Sequence, residues 1–121
     1  MKPAQAGLIA LAAATAIAAA SPSLAGDARA GAQIFQLKCA RCHGASAKGD
    51  GPELARLQAA VSPDDWNDKE TNQEMPDGFI VSMITKGGQA NGKSRIMPSF
   101  EGKLDQRQVA DLVAFIRSLP K

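Results

Sequence analysis

A chain of 121 residues has room for one small domain, and a formal charge of +2, from 14 Lys and Arg against 12 Asp and Glu, lacks the strong positive excess that points to nucleic acid or an anionic bilayer. Four Phe, one Trp and no Tyr leave few large side chains to bury. A domain of this size buries only about 60–65% of its unfolded surface, so something besides its own side chains is expected to fill its core.

The first element reads as a leader. Lys2 supplies a short positive start, Gly7 to Ala20 is an unbroken run of Gly, Leu, Ile, Ala and Thr, and Ser23-Leu24-Ala25 puts small residues where signal peptidase cuts. The pattern predicts a secretory signal peptide over residues 1–25, cleaved after Ala25, and one domain over residues 26–121. A retained anchor is the competing reading, but the run is shorter than the ~20 residues that span a bilayer and is mostly weakly hydrophobic Ala. Only Lys2 of the basic residues lies in the leader, so the remaining chain is close to neutral.

Asp27 can cap a first helix running to Lys38, with Ala28, Gly31, Ala32 and Phe35 on one side and Gly31 admitting a close neighbour. Gly44 to Gly51 then breaks regular structure, Pro52 fixes the turn, and a short helix is expected over residues 53–58. Another helix starts near Asp77 and turns Phe79, Ile80, Met83 and Ile84 inward before Gly87-Gly88 ends it, which makes Met83 most simply a core residue. Gly87 through Ser94 reads as a loop leading to Ile96-Met97-Pro98, where the proline bars helix, so Met97 projects from a loop. The last helix is capped by Asp105 with Gln108 three residues on, carries Val109, Leu112, Val113 and Ile116 as its stripe with Phe115 and Leu119 beside it, and stops at Pro120. The fold class is all-α, with the last helix packing across the first at Gly31.

The only two cysteines and the only histidine stand together as Cys39-Ala40-Arg41-Cys42-His43, the C-x-x-C-H pattern of covalent haem attachment. Two thiols three residues apart reach the two vinyl groups of one porphyrin, and the next imidazole meets the iron from the same side. Three other readings compete. A redox dithiol uses the same spacing but in a strand-to-helix context absent here; a structural zinc site needs four ligands where three exist; a plain disulfide leaves His43 unexplained and closes too short a loop to constrain the unfolded chain.

With these residues in view the chain resembles the class I cytochrome c family of small monohaem electron carriers. The resemblance covers essentially all of residues 26–121. It rests on Cys39-Ala40-Arg41-Cys42-His43-Gly44, on Gly49-Asp50-Gly51-Pro52, on Met97-Pro98 after a Gly-rich loop, and on Gly31 and Phe35 facing a terminal helix that contains Phe115. It implies crossing N- and C-terminal helices, with loops and short helices wrapped around one haem c bound through Cys39 and Cys42.

By the same resemblance His43 and Met97 are the iron ligands, a pair that raises the haem potential and closes the iron to substrates. Met75, also before a proline, and Met83 are alternatives for the sulfur ligand, and any of the three can be plain core. Pro52 is implied to offer its carbonyl to the free ring N–H of His43, against the alternative of an ordinary turn proline. Trp66 either hydrogen-bonds a haem propionate or packs in the core. Residues 61–76 match nothing in the family pattern.

The implied function is a periplasmic electron carrier rather than an enzyme. The alternatives are the haem subunit of a periplasmic dehydrogenase complex and, further off, a haem sensor or enzyme with an open distal position. The partners are redox proteins, a donor dehydrogenase or reductase and an acceptor oxidase or reductase, with the chain a monomer or a subunit of their complex. No nucleic acid is expected, nor a stable membrane span once the leader is cut. Lys86, Lys93, Arg95 and Lys103 flank Met97 in sequence and suit an acidic partner face, whereas Asp64, Asp65, Asp68, Glu70, Glu74 and Asp77 crowd another stretch.

Overall fold

A computed structural model describes residues 1–17 and 25–120. Among them the regular structure is all helical, and no strand forms. Residues 1–17 carry no regular structure and leave Leu8, Ile9, Leu11 and Ile17 exposed. No described helix is long and apolar enough to cross a membrane. Ser23 and Leu24 of the expected cleavage site lie outside the described residues.

The first helix, α1, is Ala28–Lys38. Its start is fixed by Asp27, whose extended backbone (φ −95°, ψ 111°) aims its carboxylate at the Arg29 and Ala30 amides, at 2.9 and 3.2 Å. One turn further, α2 is Ala40–His43, a four-residue helix not foreseen in the sequence, and α3 is Glu53–Arg56, shorter than the expected 53–58. The unmatched stretch contains another unforeseen helix, α4 at Lys69–Glu74, capped by the Asp68 carboxylate on the Thr71 amide at 2.8 Å. Then come α5, Asp77–Lys86, and a single 3-10 turn over Gln89–Asn91 inside the expected loop. Last is α6, Gln106–Ser118, which has the predicted reciprocal cap: Gln108 N–H donates to Asp105 at 2.8 Å, and Asp105 N–H donates to the Gln108 side chain at 2.9 Å.

α1 and α6 cross at Gly31, as expected. A Cβ there would stand 1.9 Å from the Asp111 carbonyl oxygen and 2.9 Å from Phe115 Cβ, so only a hydrogen lets the backbones approach this closely. Beside the crossing the Phe35 and Phe115 rings pack with centroids 5.0 Å apart. Phe35, Ile80, Ile84, Val109, Leu112 and Ile116 form the core, joined by Leu104 just before the Asp105 cap. Val113 is only half-buried. The α6 face turned to α1 instead buries Asp111, which accepts the Asp27 amide at 2.7 Å and lies 3.4 Å from the Arg107 guanidinium.

Candidate functional site

Backbone hydrogen bonds set the Cys39–His43 segment. The Phe35 carbonyl takes the Cys39 amide at 2.8 Å, which ends α1, and the Cys39 carbonyl then accepts from Cys42 at 3.1 Å and His43 at 2.9 Å. Residues three and four apart on a helical turn share a face, so Cys39, Cys42 and His43 point the same way. All three line one cavity of about 340 Å³.

The other walls come from distant parts of the chain. Ile80, Met83 and Ile84 enter from α5, Leu112 and Ile116 from α6, buried Trp66 and half-buried Met75 from the residues around α4, and Ile96 and Met97 from the loop after α5. Met97 therefore lies in one cavity with His43 across a separation of more than fifty residues. Its carbonyl accepts the Gly88 amide at 3.0 Å, which ties the loop to the end of α5. Met83, expected as plain core, lines the cavity too, so contact alone admits all three methionines.

Pro52 does not take up its implied contact. His43 Nδ1 is buried and has no hydrogen-bond partner. Pro52 precedes α3 with helical dihedrals (φ −64°, ψ −24°). The turn itself stays close, since Gly51 N–H donates to the Cys42 carbonyl at 3.1 Å.

Burial governs the electrostatics. It pulls the His43 imidazole below its ordinary range, with Asp64 opposing, so the ring is neutral at neutral pH and keeps a lone pair for a metal. It pushes the Cys39 thiol up to about 11, with Lys38 opposing. A thiol held protonated is a poor nucleophile, which disfavours the redox dithiol reading. A mostly apolar cavity, two thiols on one face and an unpartnered buried imidazole beside them suit a flat apolar group bonded through sulfur, with its metal taken by the ring.

The two charged stretches meet at the mouth. Asp64 and Lys93 both line the cavity, and an adjoining open groove is lined by Asp64, Glu74 and Lys93, whose ammonium stands 6.0 Å from the Phe79 ring centre. Two structural residues escaped the sequence reading. Asn72, 1% exposed, donates to the Trp66 carbonyl at 2.9 Å and the Ile116 carbonyl at 2.8 Å; Arg117 bonds the carbonyls of Asn72 and Met75 and pairs with Asp77 at 2.7 Å. Lys69–Glu74 is polar throughout, so no apolar periodicity announces Asn72, and Arg117 falls outside the apolar stripe of α6.

A family model described as Cytochrome c matches residues 28–120. FixP, a cbb3-type cytochrome c oxidase subunit of Bradyrhizobium sp. (strain ORS 278), is 33% identical over 93 residues that cover 77% of this chain but only 28% of FixP. Cytochrome c6 of Nostoc sp. (strain PCC 7120) is 31% identical over 96 residues, covering 79% of this chain and 74% of that protein. Among solved structures, the KustC0563 c-type cytochrome superposes with a TM-score of 0.58 at 25% identity, covering 75% of this chain and 98% of the other.

Proposed function

The chain belongs to the cytochrome c family, electron-transfer proteins with covalently bound haem, and from that premise we propose that it is an exported carrier of single electrons whose haem is attached at Cys39 and Cys42 and ligated by His43 and Met97. The observation that carries this reading is one cavity lined by both thiols, the imidazole and the Met97 side chain. The haem, when bound, supplies the one-electron iron couple. The chain does the rest. With a haem held there, Cys39 and Cys42 would fix its position, His43 would offer a neutral nitrogen, the Met97 thioether would favour the reduced iron, and Ile80, Ile84, Leu112 and Ile116 would keep water from the centre.

The leader belongs to the same proposal: residues 1–25 direct export to the periplasm and are then removed. Exposed Leu8, Ile9, Leu11 and Ile17 are consistent with a segment that packs on nothing in the described structure. The partner is a redox protein, met through exposed Lys86, Arg95 and Lys103 and the rim Lys93, which suit an acidic face. The resemblance to FixP favours a second reading, a permanent subunit of a redox complex. Elution of the native protein as a free monomer separates the two.

The test is the intact mass and the optical spectrum of the exported protein. Residues 26–121 plus one haem, with a low-spin spectrum and a Met-to-iron charge-transfer band when oxidised, is the expected result. A colourless chain with both thiols free overturns it.

A further inference from the structure

The loop that brings Met97 to the cavity is tied to α5 by a side chain that plays no other part in the site. Asn91 lies in the single 3-10 turn between α5 and Met97. Its Oδ1 accepts the Ser82 hydroxyl at 2.8 Å, and its Nδ2 donates to the Gly87 carbonyl at 2.8 Å. Ser82 is the neighbour of cavity-lining Met83, and Gly87 ends α5 with a left-handed φ of 82° that few side chains tolerate. The next residue, Gly88, is where the loop returns: its N–H donates to the Met97 carbonyl at 3.0 Å, and its carbonyl accepts from Asn91 at 3.0 Å and Lys93 at 2.8 Å. A Cβ on Gly88 would stand 1.9 Å from the Ser94 carbonyl oxygen and 3.2 Å from Met97 Cβ, so the two strands of the loop press together with no room to slide.

We infer that Asn91 is a positioning residue for the sulfur ligand, and that with Ser82 it forms a latch that holds the Met97 loop against the end of α5. The inference rests on Met97 being the iron ligand. An amide is suited to this place because it accepts and donates at once, so one side chain satisfies a hydroxyl in α5 and the orphan carbonyl of the helix end. Both bonds are part-buried, where losing a partner leaves a polar group unpaired. With the latch gone, Gly88 and hence the Met97 carbonyl are held by backbone bonds alone, and the equilibrium between bound and released Met97 shifts toward release.

The test uses the haem-loaded protein. Exogenous imidazole binds ferric haem only where the sulfur has left, so its apparent affinity rises in proportion to the released fraction. Ser82→Ala removes one bond and is expected to tighten imidazole binding about fivefold; Asn91→Ala removes both and is expected to tighten it about five- to thirtyfold, with a weaker Met-to-iron charge-transfer band. Covalent haem content and far-UV circular dichroism are expected to match the parent, which separates a positioning effect from loss of fold. Should Asn91→Ala fail to fold, Ser82→Ala decides alone, because it removes little volume. Imidazole affinity unchanged in Ser82→Ala overturns the latch. A parent protein that itself lacks the charge-transfer band overturns Met97 as ligand, and a band present in the parent but indifferent to both substitutions overturns the latch while leaving the ligand in place.

Discussion

Single side chains in this molecule act by where their polar atoms end. Asn72 is the clearest case, because its amide donates to the Trp66 and Ile116 carbonyls in the interior while its oxygen accepts from Arg117 at 3.2 Å nearer the surface. Replacing it by Leu keeps the volume and strips the donors, leaving the Trp66 carbonyl without the Asn72 amide and the Ile116 carbonyl with only the Leu119 N–H. We predict that Asn72→Leu destabilises the haem-loaded protein by about 3 kcal/mol in denaturant unfolding. A loss under about 0.5 kcal/mol, the range of an ordinary surface change, would show that the amide's bonds are replaceable. His43 and Cys39 obey the same logic from the other side: the burial that keeps the imidazole neutral also keeps the thiol protonated.

Among the elements, α1 and α6 stand or fall together at Gly31. The Asp111 carbonyl oxygen fills the space a methyl group would need and is backbone, so it cannot rotate away. Gly31→Ala is expected to cost about 3 kcal/mol and to lower the midpoint of thermal unfolding by roughly 10–20 °C, as read by circular dichroism at a helical wavelength. A midpoint within a degree of the parent would mean that the helices part without penalty. α4 depends on a charge. Bonds from Thr71 hold the Asp68 carboxyl below the usual carboxylate range, so it is protonated at lower pH in the folded chain than in the unfolded one. The cap's contribution is therefore complete above the unfolded carboxylate value and is lost as the pH falls through the lower folded one. Amide exchange over residues 69–74 is expected to quicken on that acid side. In Asp68→Asn, which caps without titrating, it should not.

At the scale of the whole molecule the cavity is the fact to explain. Phe35, Ile80, Ile84, Leu112 and Ile116 are core residues that also wall an opening of about 340 Å³, so the side each turns to it meets no other part of the chain. Anything that binds only the native state stabilises it, and a buried prosthetic group does so for as long as it is attached. Protein produced without haem attachment is accordingly expected to be largely unfolded, with a far-UV circular dichroism spectrum short of helix. A native helical spectrum from that material would show that the polypeptide holds its cavity open unaided.

The residues by themselves determined the crossing helices, their caps, the attachment motif and the loop position of Met97, because each is written in local chemistry: Asp27 and Asp105 before apolar periodicity, Gly31 where a side chain cannot fit, two thiols and an imidazole within five positions. Leu104 was legible in principle, as the apolar residue that precedes a cap and pairs in pattern with Val109. Only the tertiary structure decided the rest. α4 has no apolar residue in Lys69–Glu74 and is held by Asn72 and Arg117 reaching α6 and Asp77; Pro52 leads into α3 while His43 Nδ1 is without a partner; Asp64 and Lys93 came to one rim from opposite ends of the charge pattern. These depend on contacts between residues tens of positions apart, which no periodicity records.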